Sequence, residues 1–324
     1  MARDIDDHET DDDRTATVTT EAGKAEPLTT APRWYLDALA TPPERAVVRI
    51  AGVETALRMW GPRDGSPVVL VHGGAAHAAW WDHIGPLLVD CRVIALDLSG
   101  HGDSGWRDEY RIDTWKLELL AVLRSEHVRG RALVVGHSMG GLVTYAAVRD
   151  HADELSRALI VDSEFPRRAI GDGWRTPRDI QRRVHPDRES TLARFRLMPR
   201  SAPRSPFVID HVAQQSIVAV GGGWSWKFDP RVFTHDGVVF EDAVPLRGCP
   251  VVIVRGDRGL LDDDEAAALA SQLGGLEVLT VDDCGHHVLL DHPLSLIEII
   301  RRQLPERNPG VAPRPAPNIT IGEP

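Results

Sequence analysis

Cysteine and lysine are scarce in this sequence, and long hydrophobic runs are absent. The three cysteines, Cys91, Cys249 and Cys284, are widely spaced and odd in number. This arrangement excludes a disulfide framework and a cysteine metal knuckle. We therefore expect buried thiols and a cytoplasmic protein. Lysine is nearly absent while arginine is abundant, a compositional bias that indicates no particular function.

No apolar segment approaches the roughly 18 residues that a membrane-spanning helix requires. The N-terminal stretch MARDIDDHETDDDR is acidic and lacks the apolar core of a secretory signal. The net charge of -11 argues against nucleic acid as a partner. A small-molecule substrate is the expected partner, and the sequence does not indicate an oligomeric state.

The chain divides by composition into five segments. Residues 1–30 are polar and acidic, and we predict a disordered tail. Residues 305–324 are proline-rich and predicted to be flexible. Residues 31–164 and 246–304 alternate short apolar runs with amphipathic stretches, as one domain core in two parts does. Residues 165–245 interrupt this alternation and predict an inserted helical cap, because so long a loop is improbable in a compact domain.

The apolar runs of the two core parts have the character of buried strands. Six of them, including PVVLVHGG, CRVIALDLSG and RALVVGHSMGG, are rich in β-branched residues and end in Gly, Asp or Ser. Continuous apolar runs are typical of strands buried on both faces, and therefore of a mainly parallel sheet covered by helices. AVVRIAG and ALRMWG precede them and predict an antiparallel hairpin. The fold class is α/β.

The motif Gly136-His137-Ser138-Met139-Gly140 follows one of these strands and precedes a helical pattern. This context predicts a nucleophile elbow, a tight strand-to-helix turn that needs small neighbours and exposes the serine hydroxyl. The helix N-terminus behind it favours developing negative charge.

Two further loops supply the partners that such a serine needs. A tetrahedral oxyanion requires backbone N–H donors, and we expect them at Met139 and at Gly74, in the loop His72-Gly73-Gly74. We expect His72 itself to brace the loop. A proton-accepting imidazole is expected at His286, in Cys284-Gly285-His286-His287, with the adjacent His287 as a competitor.

The chain resembles lid-bearing serine hydrolases of the α/β-hydrolase fold family. The resemblance lies in HGG at 72–74, DLSGHGDS at 97–104, GHSMGG at 136–141 and CGHHVLLDHP at 284–293, and spans residues 44–304. It implies a mostly parallel eight-stranded sheet, with the cap inserted after the sixth strand over the active site. Family members that are haloalkane dehalogenases or epoxide hydrolases have aspartate where this chain has Ser138.

The sequence leaves the acidic member of the triad open between two main positions. Chain order in this fold is serine, acid, histidine. The usual family position falls on Gly259, which carries no carboxylate, and Asp257 is only one residue past Gly256. Some family members take their acid from the end of an earlier strand, here Asp162. We prefer Asp162 and keep Asp257 as the alternative, with Glu164 and Asp262 behind them.

The segment between 165 and 245 offers weaker indications of substrate. Its many arginines would suit an anionic acyl group, but a solvated helical surface is the preferred interpretation. Trp81 and Trp224 are candidate pocket residues, and Trp80 and Trp226 share that possibility.

Serine chemistry favours a carboxylesterase-like enzyme that acts through an acyl-enzyme and needs neither cofactor nor metal. A carbon–carbon bond hydrolase and a non-catalytic ligand-binding protein are the alternatives. Metal binding is not predicted, because His101 and the pair His286-His287 lack a third ligand at a suitable spacing.

Overall fold

The computed structural model describes residues 31–166, 181–199, 205–235 and 238–305. The predicted disordered segment 1–30 and the proline-rich end beyond residue 305 lie outside these ranges. Within them, no helix is long and apolar enough to cross a membrane. The three cysteines all fall in described parts of the chain, where each is buried and none forms a disulfide bond.

An eight-stranded sheet forms the centre of the described structure. Its strands lie in the order β1-β2-β4-β3-β5-β6-β9-β10. Their bounds are β1 (Glu44–Ile50), β2 (Val53–Trp60), β3 (Ser66–Val71), β4 (Cys91–Leu96), β5 (Ala132–His137), β6 (Leu155–Val161), β9 (Val251–Gly256) and β10 (Glu277–Val281). The first two strands form the predicted antiparallel hairpin, β2 and β4 are antiparallel, and all other pairs are parallel. The predicted mostly parallel eight-stranded sheet is confirmed.

Helices cover both faces of this sheet. The described helices are α1 (Arg33–Leu39), α2 (Ile112–Leu123), α3 (Met139–His151), α4 (Arg188–Leu192), α5 (Pro206–Gln215), α6 (Asp263–Gln272), α7 (Val288–Asp291) and α8 (Pro293–Gln303). One apolar cluster packs α2, α3 and α6 against side chains such as Val69. The other packs α1 and α8 against alternate side chains such as Val68 and Leu70. Every residue of β4, β5 and β9 is buried, as expected for strands covered on both faces.

The chain between β6 and β9 contains more than the predicted helices. Besides α4 and α5 it forms a second, two-stranded antiparallel sheet of β7 (Ile217–Val220) and β8 (Gly223–Trp226). The described part of the predicted helical insertion at residues 165–245 therefore contains a β-hairpin in addition to helices. Val220 pairs with Gly223, so the turn consists of Gly221 and Gly222 alone. Of these two glycines, Gly222 has a positive φ of 89°, which favours glycine at the second position of a two-residue turn.

Polar contacts join this inserted segment to the rest of the described chain. Tyr35 donates its hydroxyl hydrogen to the carbonyl oxygen of Phe207 at 2.8 Å. The buried Asp82 accepts hydrogen bonds from Arg58 at 3.0 Å and from His211 on α5, also at 3.0 Å. The inserted segment is therefore joined to the core through Tyr35 and through the buried carboxylate of Asp82.

Buried histidines make the stability of the fold sensitive to acid. Burial lowers the pKa of six histidines whose side chains are almost inaccessible to solvent: His72, His77, His83, His101, His137 and His287. A histidine held neutral in the folded state stabilises the fold above its unfolded pKa, and that stability is lost as pH falls through its folded pKa.

We expect the free energy of unfolding to decrease steeply below about pH 6.5. His72 and His83 each have a pKa lowered from 6.5 to about 4, so each contributes on the order of 3 kcal/mol that is lost by pH 4. Burial raises the pKa of Asp97 to about 6, which has the opposite effect on the pH dependence. This single group is outnumbered by the six buried histidines. Urea unfolding measured between pH 7.5 and 5 tests this. A His83→Gln variant keeps a donor for the carbonyl oxygen of Leu289 and should show a flatter pH dependence. Equal stability at both ends of the range contradicts the prediction.

Candidate active site

The candidate residues meet at one edge of the sheet, where the parallel strands end. Ser138 directly follows β5 and Asp162 directly follows β6. The loop His72-Gly73-Gly74 follows β3, and His286 lies in the loop after β10. In open parallel sheets this carboxyl edge is where ligands bind. The strand order therefore brings together side chains that lie up to 214 positions apart in the sequence.

Ser138 has the backbone of a nucleophile elbow. Its φ of 54° and ψ of -122° are strained for a residue with a side chain. A Cβ atom at Gly140 would lie 2.5 Å from the carbonyl oxygens of Val71 and His72, and a Cβ at Gly136 would collide with the Gly140 carbonyl. The two glycines of the motif are thus required by the close approach of neighbouring backbone. The turn leaves Ser138 partly exposed at the start of α3.

Asp162 and His286 form a buried hydrogen-bonded pair. His286 Nδ1 lies 2.6 Å from Asp162 Oδ2, and the side chains are 4% and 0% exposed. The same carboxylate oxygen accepts the amide hydrogen of Leu260 at 2.8 Å. Because the carboxylate accepts the Nδ1 hydrogen, the imidazole lone pair is on Nε2. The pair can therefore hold one imidazole tautomer and stabilise its protonated form.

Asp257, the alternative acid, lies in a different environment. Its Oδ1 accepts the amide hydrogen of Cys284 at 2.7 Å, and its side chain is 36% exposed. Asp162 therefore contacts His286, whereas Asp257 binds the backbone of the loop that precedes this histidine.

The other acids of the 257–265 stretch belong to the start of α6. Asp262 accepts the amide hydrogen of Glu265 at 2.8 Å, and Glu265 accepts that of Asp262 at 3.1 Å. These two reciprocal hydrogen bonds form a capping box at the start of the helix.

Gly259, the usual family position for the acid, lies directly against Asp162. A Cβ atom built on Gly259 would be 2.6 Å from Asp162 Cγ and closer still to Oδ1. The Asp162 carboxylate therefore occupies the space that a side chain at 259 would need. Among the described residues, Oδ1 has no hydrogen-bond partner, so Oδ2 carries the interactions with Leu260 and His286.

Backbone strain is concentrated at this edge of the sheet. Five non-glycine residues in the described ranges have positive φ: Ala51, Ala75, Ser138, Asp162 and Asp283. All but Ala51 lie in the loops that carry the candidate residues. Such conformations cost about 1–3 kcal/mol each and persist where the surrounding structure enforces them, typically at functional sites.

The glycine loop after β3 is braced against the nucleophile turn. His72 donates its Nδ1 hydrogen to the carbonyl oxygen of Gly73 at 2.7 Å, and its Nε2 accepts the amide hydrogen of Leu98 at 3.0 Å. Burial lowers the pKa of His72 to about 4, so this tautomer persists near neutral pH. The expected bracing role of His72 matches this geometry.

Gly74 and Met139 lie close together beside Ser138. A Cβ built on Gly74 would be 3.9 Å from Met139 Sδ, and one on Gly73 would be 3.1 Å from the Cβ of Ser138. The Gly74 amide donates no backbone hydrogen bond to another described residue. Met139 is the first residue of α3, where an amide has no partner within its own helix. Both amides can therefore serve a negatively charged oxygen.

Sequence reasoning missed His137, the residue before the nucleophile. Its ring is buried, its centroid is 4.7 Å from that of His286 and 5.7 Å from that of His287, and its Nε2 lies 3.0 Å from the carbonyl oxygen of His286. The motif treats this position as variable, and 149 residues separate it from the His286-His287 pair. Only the strand order could have revealed the contact.

The predicted pocket tryptophans lie in different environments. Trp81 is completely buried in the apolar cluster that contains α1 and α8. Trp224 is a partly exposed residue of β8 and bridges to His185. Trp80, in contrast, contacts the ring of His287 edge-on, with centroids 5.7 Å apart. A further aromatic residue, the 46% exposed Phe233, lies near Gly74 and Met139.

The arginine-rich part of the insertion lies partly outside the described residues, since 167–180 and 200–204 are not described. Of its described arginines, Arg182 binds the carbonyl oxygen of Trp226 and the hydroxyl of Ser225 and stacks over Trp106. Arg194 and Arg196 are exposed and contact backbone carbonyls of their own segment. These contacts are consistent with the interpretation preferred from the sequence, in which the arginines belong to a solvated surface.

Comparisons with known proteins agree with the fold described above. The model of the alpha/beta hydrolase family matches residues 68–299. The chain is 31% identical over 272 residues to the esterase Rv0045c of Mycobacterium tuberculosis, covering 79% of this chain and 88% of the relative.

A second relative is named for a different hydrolytic reaction. The chain is 26% identical over 264 residues to a 2-hydroxy-6-oxo-6-(2'-aminophenyl)hexa-2,4-dienoic acid hydrolase of Metapseudomonas resinovorans, covering 76% of this chain and 86% of the relative. Among solved structures, the thioesterase domain from the curacin biosynthetic pathway superposes with a TM-score of 0.67 at 20% identity, covering 80% of this chain and 99% of that domain. The latter likeness concerns the fold alone.

Proposed function

Because the chain belongs to the alpha/beta hydrolase family, we propose that it is an enzyme that hydrolyses carboxylic ester bonds with Ser138, His286 and Asp162 as its catalytic triad. The observation that supports this most strongly is the buried 2.6 Å hydrogen bond between Asp162 and His286, formed beside the strained serine turn. Ester hydrolysis, as opposed to another acyl transfer, is supported by the named activity of the esterase relative.

In the proposed mechanism the substrate carbonyl lies over Ser138. His286 Nε2 accepts the hydroxyl proton as Ser138 Oγ attacks, and the carbonyl oxygen becomes an oxyanion. The amides of Gly74 and Met139 donate hydrogen bonds to that oxygen, at the positive end of α3. His286 then donates its proton to the leaving alkoxide, and an acyl-enzyme remains.

Deacylation repeats these steps with water as the nucleophile. His286 accepts a proton from water, the second oxyanion is stabilised by the same amides, and Ser138 leaves with the proton returned. Asp162 stays ionised and stabilises the imidazolium in both halves. These steps involve only protein groups and water, so no cofactor enters the proposal.

The organisation of the chain forms part of the proposal. Residues 31–164 and 246–304 form the hydrolase core, and residues 165–245 form a cap over the serine. This is supported by Phe233, which comes from the insertion and lies beside the proposed oxyanion donors. We propose Phe233 and Trp80 as pocket residues alongside the earlier candidates Trp81 and Trp224. The buried thiols support a cytoplasmic location.

A carbon–carbon bond hydrolase acting on a diketone-like acid is the second candidate. It is favoured by the similarity to the dienoic acid hydrolase. Both reactions use the same serine, so the triad geometry does not separate them. Nothing in the described site favours a non-catalytic binding protein, since that would leave the buried Asp162-His286 pair without a purpose.

We expect purified protein to hydrolyse p-nitrophenyl esters of short or medium chain length at a rate proportional to enzyme concentration. The reason is that ester cleavage needs only the nucleophile, base and oxyanion donors described above. Nitrophenolate release is measured in parallel with cleavage of a vinylogous diketone acid, whose products are identified by mass spectrometry. Faster cleavage of the diketone would establish the second candidate, and turnover of neither compound class would count against an active triad.

A further inference from the structure

Three buried histidines converge beside the proposed nucleophile. One ring nitrogen from each of His137, His286 and His287 can be chosen so that all three lie within 4.8 Å of one another. The side chains are 2%, 4% and 2% exposed. The serine mechanism uses only His286, so the burial of two further imidazoles at this point needs an explanation of its own.

Hydrogen bonds determine which nitrogen of two rings is available. A carbonyl oxygen can only accept, so His137 carries its hydrogen on Nε2, which lies 3.0 Å from the carbonyl oxygen of His286. The lone pair of His137 is therefore on Nδ1, which has no hydrogen-bond partner among the described residues. In His286 the hydrogen is on Nδ1, facing Asp162, and the lone pair is on Nε2.

This pattern is the one found around metal-bound histidines. Such histidines almost always donate their second ring N–H to a carboxylate or a backbone carbonyl, which fixes the tautomer and makes the ligating nitrogen more basic. His286 donates to a carboxylate and His137 to a carbonyl. Both rings are thus held with a lone pair left for another ligand.

His287 supplies the third ring. Neither of its ring nitrogens has a hydrogen-bond partner of good geometry within the described residues, although the backbone of Pro199 is close enough for a weak hydrogen bond to the ring. Its ring centroid lies 4.7 Å from that of His286, and Trp80 contacts its edge. A buried polar group without a partner costs about 1–3 kcal/mol. A metal ion would supply an interaction stronger than the weak contact with Pro199.

We propose that His137, His286 and His287 bind a transition-metal ion, such as Zn²⁺, Cu²⁺ or Ni²⁺, and that the bound ion inhibits the enzyme. Imidazole nitrogen suits these ions, whereas Mg²⁺ and Ca²⁺ prefer oxygen ligands. At metal–nitrogen distances of about 2.0–2.1 Å in a tetrahedral site, the ligating nitrogens are about 3.4 Å apart. The rings must therefore close by up to about 1.4 Å from their present spacing.

Inhibition follows from the ligand that His286 provides, and this part of the inference rests on the proposed function. The Nε2 lone pair that would bind the metal is the one that accepts the Ser138 proton. A metal ion and a proton cannot share it, so the metal-bound enzyme has no general base. Removal of the ion by a chelator restores the lone pair, because no covalent bond of the protein has changed.

Binding is tested first, without reference to activity. Isothermal titration calorimetry with ZnCl₂ is expected to give one ion per wild-type chain, and titration with MgCl₂ no binding. His287→Phe keeps an aromatic ring beside Trp80 but removes a ligand, and should weaken Zn²⁺ binding by at least about tenfold. His127→Phe is the control, since His127 precedes β5 at the opposite edge of the sheet. His287→Gln provides the same comparison should the phenylalanine variant not fold.

Ester turnover in the presence of Zn²⁺ gives the second measurement. Wild-type turnover should fall with metal concentration and recover on addition of EDTA, while His287→Phe should need about tenfold more Zn²⁺ for the same inhibition. Absence of Zn²⁺ binding by the wild type, or equal binding by both His287 variants and the wild type, overturns the proposal. If calorimetry shows the site but metal-free protein hydrolyses no ester, the metal site stands and the proposed function fails.

Discussion

Replacement of Ser138 by alanine is expected to lower kcat for ester hydrolysis by about 10⁵- to 10⁶-fold, the loss seen when the nucleophile of a serine triad is removed. The reason is that His286 and the amides of Gly74 and Met139 act only on an attacking Ser138 Oγ and on the oxyanion which that attack creates. The remaining rate reflects water attack on a bound substrate. The measurement is nitrophenolate release at saturating ester.

Covalent labelling tests the role of Ser138 as nucleophile without a substrate. A fluorophosphonate should add its phosphonyl group to wild-type protein once per chain, at Ser138, and should leave Ser138→Ala unmodified. Ser125→Ala is the control, because the Ser125 hydroxyl only caps the carbonyl oxygen of Val122 in the connection before β5. Labelling of Ser138→Ala at another serine, or retention of turnover within about tenfold of the wild type, would require a different nucleophile.

The nucleophile turn could be predicted because its constraints are local. Gly136, Ser138 and Gly140 lie within five residues, and the preceding apolar strand and following helix are readable from the same stretch. The capping box of Asp262 and Glu265 depends on equally local residues, only three positions apart. Prediction from sequence succeeds where one short segment contains both the side chain of interest and the residues that determine its position.

The hairpin in the insertion was missed although a local signal existed. The stretches IVAV and GWSW flank Gly221-Gly222, and two glycines between strand-forming segments indicate a tight turn. The hairpin was missed because each strand has only four residues, so its side chains alternate only twice between the two faces. Short strands that pair only with each other leave little periodicity to detect.

The triad acid and the histidine cluster depend on strand order, which no local pattern specifies. His137 pairs with Val161 across β5 and β6, and the Ser138 amide donates to the Val161 carbonyl at 2.9 Å. The next residue of each strand, Ser138 and Asp162, must therefore lie side by side. The sequence favoured Asp162 because Gly259 occupies the usual family position and some family members take the acid from this earlier strand, whereas the register supplies the physical reason.

Asp162→Asn is expected to lower kcat by about 10³- to 10⁴-fold, since an asparagine neither fixes the required imidazole tautomer nor stabilises the imidazolium. Asp257→Asn should stay within about threefold of the wild type in kcat, an effect typical of a peripheral substitution. Its remaining amide oxygen can still accept the hydrogen of Cys284. The two variants make the same chemical change 95 positions apart in one chain, so their ratio measures the contribution of position alone. Thermal unfolding of both checks that they are folded.

Gly259→Ala provides an independent measure of the same assignment. Its methyl group would displace the Asp162 carboxylate, which a Cβ at 259 would approach to 2.6 Å at Cγ, and we expect kcat to fall by about ten- to a hundredfold through loss of alignment. Gly221→Ala is the control, because a Cβ there meets nothing within 4 Å. A large loss in Asp257→Asn together with normal turnover in Asp162→Asn and Gly259→Ala would transfer the acid to Asp257. That outcome would require the loop after β9 to rearrange until Asp257 replaced the buried carboxylate at His286.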